Sequence, residues 1–182
     1  MIKKLLIPAL LILLAFLTYS CEGIFGEDDE FTMDRRPYYG DQLRLDGYYY
    51  FYYDYDEDRQ TIHVEILFNN GVIVNGYSMG LVDVNRREQE YRDGTFYNSV
   101  KNTVYFWGIF RIFGDSIAYE RRYPADSGVL HGYIDSGKIL NDTTFHLTRS
   151  MRSNGTEVRE INELYHFKKF DGKPDSSNRF VK

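Results

Sequence analysis

From Leu43 to Asp54 the chain alternates with a period of two: Leu43, Leu45, Gly47, Tyr49, Phe51 and Tyr53 on one face, and Arg44, Asp46, Tyr48, Tyr50, Tyr52 and Asp54 on the other. An extended backbone throws successive side chains to opposite sides, so this spacing predicts a half-buried strand and is wrong for a helix. The first face is the core candidate. Ile62, Val64, Ile66 and Phe68 form a second such face, and Asn70-Gly71 is a dipeptide suited to a two-residue hairpin turn into a return strand from Val72 to Tyr77. Gly114-Asp115, Pro124 to Gly128, Ser136-Gly137, Asn141-Asp142 and Asn154-Gly155 punctuate the rest at short intervals. Only Asp83 to Arg92, rich in Arg, Glu and Gln, breaks the pattern; it reads as one short helix or polar excursion with Asp83 as N-cap.

No helices lie between the strands to carry parallel crossovers. The fold expected is therefore all-β: an antiparallel meander of roughly eight strands that closes into a barrel and so removes its edges, with a β-sandwich as the alternative.

The first twenty residues have a different physics. Lys3 and Lys4 precede an apolar run from Leu5 to Leu17 that contains Pro8, and the segment ends at Ser20, the layout of an export signal and too short for a membrane span. Cys21 is the single cysteine of the chain, and its place after Ser20 resembles the lipid-accepting cysteine of bacterial lipoproteins. Lipid attachment gives an otherwise unpaired thiol in an oxidising compartment a reason to exist. The sequence thus divides into a signal at 1–20, a lipidated cysteine and acidic tether at 21–40, a barrel domain at 41–170, and a tail at 171–182 expected to be disordered. The run Glu27-Asp28-Asp29-Glu30 is similar to the acidic surface-export mark of Bacteroidota lipoproteins. The implied address is the outer membrane through the lipid anchor; the acidic run favours the cell surface over the periplasmic side.

Loss of the signal removes two of 22 basic residues and no acid, taking the net charge from −5 to −7. With Arg35-Arg36, Arg86-Arg87, Arg121-Arg122 and Lys168-Lys169 scattered among acids, nucleic acid is excluded as a partner.

Gly47-Tyr48-Tyr49 resembles the Gly-x-Trp of lipocalins with Tyr in place of Trp. The stretches Phe106-Trp107-Gly108, Tyr123-Pro124 and Tyr165-His166-Phe167 are similar to small lipocalin-like lipoproteins of Bacteroidota. That resemblance implies a lipid-anchored binding module and names no ligand.

The catalytic and metal motifs fail on context. Gly114-Asp115-Ser116-Ile117 imitates a Gly-Asp-Ser-Leu esterase block but falls between two strands, where that chemistry needs a strand-to-helix turn. Asp54-x-Asp56-x-Asp58 with Glu65 imitates a calcium loop but has Arg59 where the turn needs Gly. His63, His131, His146 and His166 share no ligand spacing. No metal, cofactor or enzymatic role is therefore expected.

The aromatic wealth, 17 Tyr and 13 Phe, carries the remaining expectation. Tyr49, Phe51, Tyr53 and Trp107 are expected to line the barrel mouth, with Arg121 and Tyr123 meeting the acidic group of a small apolar or amphipathic ligand. The alternative is an adaptor lipoprotein that docks on an outer-membrane protein complex or glycan through an exposed ladder of Tyr48, Tyr50 and Tyr52.

Overall fold

In the computed structural model, which describes residues 28–56, 59–125 and 128–182 (backbone only at 54–56 and 59–60), the expected meander forms. Its strands are β1 (Gly47–Asp56), β2 (Arg59–Leu67), β3 (Val72–Gly80), β4 (Trp107–Phe113), β5 (Ser116–Pro124), β6 (Leu130–Asn141), β7 (Thr144–Arg152) and β8 (Arg159–Lys169). Each pairs antiparallel with its neighbour in sequence, and β1 pairs with β8 through Gly47↔Lys169 and Tyr49↔Phe167. The closed ladder rules out the sandwich. Cys21 and residues 1–20 lie outside the described residues, as does Asp58 of the acidic hairpin tip. Among the described residues, no helix is long and apolar enough to cross a membrane.

The turn between β2 and β3 differs from expectation. The Gly71 N–H donates to the Phe68 carbonyl, the Phe68 N–H donates to the Val72 carbonyl, and in this turn only Gly71 has positive φ, at 84°. Three residues make the loop, a form in which glycine takes the left-handed position next to a bulge.

The polar excursion is larger than one helix. A 3-10 turn at Leu81–Asp83 leads into α1 (Val84–Arg92), then α2 (Thr95–Val100) and a second 3-10 turn at Val104–Phe106. Asp83 occupies the N-cap position without capping through its side chain; its carboxylate accepts from Arg86 at 2.9 Å instead.

Two cores result. Inside the barrel, Tyr49, Phe51, Leu67, Ile73, Phe110, Ile117, Tyr119, Phe145, Leu147 and Tyr165 pack together. Outside it, the helices cover the wall of β2, β3 and β4, burying Ile62, Val64, Ile66, Val74, Trp107 and Ile109 against Tyr91, Phe96 and Val100. The apolar face of β2 is thus an outer face, and the inward positions of that strand are His63, Glu65 and Leu67, opposite Phe51, Tyr49 and Ile73. A sheet covered on both sides has no solvent face, so the rule that polar residues point outward fails here.

Residues 28–38 and 171–182 also pack, contrary to the tether expected over 21–40, of which residues 28–40 are described, and to the tail expected to be disordered at 171–182. Asp28 and Asp29 bond the backbone of Leu130 and Gly132, and the buried carboxylate of Glu120 accepts from the N–H groups of Thr32 and Met33, from the Thr32 hydroxyl and from Ser153. Residues 28–38 therefore form a strap down the outer wall of β5, reaching Asn69 through the Tyr38 N–H. Leu43, 2% exposed, then helps close that end of the barrel. At the other terminus Lys173 donates to the carbonyls of Leu45 and Leu67, Tyr97 donates to Ser177, and Val181 is buried in the outer core. Charge and low apolar content did not prevent packing, because backbone groups and one buried carboxylate supply polar partners while Phe31, Met33, Phe180 and Val181 anchor the segments on the outer core.

Candidate ligand-binding cavity

With residues 38–46 closing one end, free volume gathers at the other. A cavity of about 510 Å³ lies there, within the usual size range of small-molecule sites. Phe51, Tyr119 and Tyr165 lie at its base, while Tyr53, Tyr123, Pro124, His131 and Tyr133 line its sides and rim. The β5–β6 register alternates these residues inward: Tyr119 opposes Asp135, Arg121 opposes Tyr133, and Tyr123 opposes His131.

At its heart is a buried ion pair. Arg121, 2% exposed, gives Nη2 to Glu65 Oε1 at 2.7 Å, and Glu65 is fully buried. The same carboxylate oxygen lies 2.7 Å from His63 Nε2, and the other ring nitrogen of His63 lies 2.8 Å from the Ser78 hydroxyl. The guanidinium sits over the rings of Tyr119 and Tyr123 at 4.8 and 5.6 Å. Gly108 across the sheet makes room for it: a Cβ there would stand 2.5 Å from Arg121 Cγ and 2.4 Å from the Glu120 carbonyl oxygen. Burial, the largest single influence, opposes the charge of Arg121, but Glu65 together with Tyr123, Tyr119 and Tyr165 outweighs it and holds the guanidinium protonated.

The pair is incompletely satisfied. Arg121 Nε and Nη1 and Glu65 Oε2 are buried without a hydrogen-bond partner, a costly state for charged groups unless something completes them. Two further carboxylates face the same space. Burial pushes the Asp135 carboxyl above its ordinary pKa, with Ser150 and Arg121 pulling back, and burial together with Asp135 does the same for Glu163. In its protonated form each is a hydrogen-bond donor as well as an acceptor.

The sequence-predicted residues divide. Phe51, Tyr53, Arg121 and Tyr123 line the cavity as expected. Tyr49 points inward but lies below it, its hydroxyl reaching the Arg44 and Asp142 carbonyls at 3.0 and 3.1 Å. Trp107 is not in the mouth: it faces outward, packs edge-on to Tyr97, and donates Nε1–H to the Val100 carbonyl. Its neighbour Gly108 holds the inward position. The tyrosine ladder also fails as a surface. Tyr48 is 2% exposed under α1, donating to Glu88 at 2.8 Å beside Tyr91 and Phe170; Tyr50 is half-buried, and of the three only Tyr52 is exposed, its ring edge-on to Tyr50.

Sequence reasoning missed Glu65, His63, Asp135, Glu163 and His131. The one available signal was the alternation His131, Tyr133, Asp135 on β6, in phase with Arg121 and Tyr123 on β5. Polarity hid it, because charged side chains were assigned to solvent. Among the described residues, no three His, Cys, Asp or Glu converge as a metal site.

Comparison with known proteins finds no family model, no curated relative and no solved structure that matches the chain.

Proposed function

We propose that this chain is an exported, lipid-anchored binding module whose barrel takes a small amphipathic ligand, its acidic group on Arg121 and its apolar part against Phe51, Tyr53 and Tyr123. One observation carries the reading: a buried arginine with two unpartnered nitrogens, Nε and Nη1, lines a cavity of ligand size. Guanidinium donors in a dry aromatic setting bind a carboxylate or similar oxyanion strongly. A wholly apolar ligand suits the site less well, since it would leave those donors without partners and set the carboxyls of Asp135 and Glu163 against hydrocarbon. The reading assigns binding and no catalytic step. The strap supports the anchored arrangement, because Asp28 meets the barrel beside Leu130 and Gly132 at the open end, and seven residues from Cys21 reach at most about 25 Å.

Native mass spectrometry of the full chain, purified in mild detergent from cells that export it, tests this. Added mass that survives purification and is lost in Tyr53→Ala or Arg121→Met supports the reading. A clean mass, together with failure to bind a fluorescent fatty acid as an anionic probe, would overturn it.

A further inference from the structure

Arg121 and Arg122 are neighbours on β5 and project to opposite sides of the barrel wall. Arg121 serves the interior; Arg122 helps line a groove of about 870 Å³ on the outside, where the N-terminal strap and the C-terminal tail run over Ile109. Four more cations come to this groove from far apart in the chain: Arg35 and Arg36 from the strap, Arg179 and Lys182 from the tail. Glu30 and Asp34 are the acids along it. Five basic side chains against two acidic ones, in a chain of net charge −5, is a local reversal of sign.

These cations are not consumed by the fold. Arg122 is half-buried with its guanidinium 4.4 Å over the ring of Phe31, and its Nε has no hydrogen-bond partner. Arg35 gives one N–H to the Val181 carbonyl, leaving the rest of its fork uncommitted to a carboxylate. Arg36 meets Asp34 only at 3.4 Å, with both side chains mostly in solvent. Among the described residues, no carboxylate lies within ion-pair distance of Arg35, Arg122, Arg179 or Lys182. Asp28, Glu120 and Glu30 attract Arg122 from further off without contacting it; converging arginine forks with no carboxylate in contact suit a group that offers several oxygens and more than one negative charge.

We propose that this groove binds a phosphate-bearing anion. The proposal is independent of the interior cavity, since its side chains face the other side of the wall. Two sources share the chemistry, a phospholipid headgroup and a soluble phosphate, and the test separates them.

The full chain and Arg122→Gln/Arg179→Gln are compared by flotation on phosphatidylcholine vesicles with and without phosphatidylglycerol, and by calorimetric titration with inorganic pyrophosphate. Any contribution of the N-terminal segment is common to both proteins. If a headgroup is the ligand, the parent prefers phosphatidylglycerol vesicles, and loss of two cations lowers that preference about thirtyfold. Pyrophosphate bound by the parent and not by the variant, without vesicle preference, identifies a soluble phosphate. Parent and variant behaving alike in both arms would overturn the proposal. Should Arg122→Gln fail to fold, Arg179→Gln/Lys182→Gln, both at exposed positions of the tail, carries the same test.

Discussion

Removing one member of the Glu65–Arg121 pair is the sharpest test of the cavity's electrostatics. Both side chains are essentially without solvent and meet at 2.7 Å. Leaving a buried charge unpaired costs about 3–5 kcal/mol, whereas replacing both members with uncharged groups is often close to neutral. The structure adds an asymmetry. Arg121→Met leaves Glu65 with His63 Nε2 at 2.7 Å; Glu65→Gln leaves Arg121 over two tyrosine rings with no carboxylate at ion-pair distance among the described residues. Glu65→Gln is therefore expected to cost the full 3–5 kcal/mol, Arg121→Met about 1–2 kcal/mol less, and the double variant to return to within about 1 kcal/mol of the parent. Urea unfolding followed by tyrosine and tryptophan fluorescence gives the cycle directly. At roughly 2–4 °C per kcal/mol for a chain of this size, Glu65→Gln alone lowers Tm by about 10 °C. A cost for Glu65→Gln below about 1 kcal/mol, or a double variant as unstable as the worse single one, would refute the picture of a dry, mutually dependent pair.

Four further outcomes are expected. Asp135 and Glu163 have folded pKa values raised above their unfolded ones, so the folded state binds extra protons between the two values and the stability they contribute at low pH is lost as pH rises through the folded pKa; Asp135→Asn/Glu163→Gln flattens a Tm-against-pH series over that interval. Burial depresses Lys173 to about 8 from 10.5, so stability rises with pH between those values, and Lys173→Met abolishes that rise in urea unfolding. Tyr48→Ala, emptying a fully buried site, costs about 3–5 kcal/mol, while Tyr52→Ala at an open position stays within about 0.5 kcal/mol; equal costs in chemical denaturation would contradict the two-core arrangement. Glu120→Ala removes the acceptor shared by Thr32, Met33 and Ser153, and limited proteolysis is expected to cut within residues 28–36 much faster than in the parent.

Local physics made much of the barrel legible. Alternation in β1 and glycine- or asparagine-bearing turns call for antiparallel strands whatever surrounds them, and consecutive hairpins leave closure as the way to satisfy both edge strands. The inward set Tyr49, Phe51 and Tyr53 was readable because β1 carries aromatic residues on its inner face; Arg121 and Tyr123 were readable as a pair in phase on one strand. Which face of β2 turns inward was not readable. Its apolar side, Ile62, Val64 and Ile66, goes outward because α1, α2 and the tail cover that wall, and a strand buried on both faces gives no polarity contrast to read.

What the sequence by itself determined is the strand content, the hairpin order and several aromatic walls of the cavity, all properties of residues close together along the chain. Tertiary structure alone decided the rest. It buried Tyr48 and Trp107 in an outer core, laid residues 28–38 and the C-terminal tail against the wall, set Glu65 against Arg121, and gathered Arg35, Arg122 and Arg179 on one groove. Each of these depends on contacts between segments tens of residues apart or more. Long-range Coulomb and hydrogen-bond partners fix which polar groups go inside, and local periodicity carries no record of them.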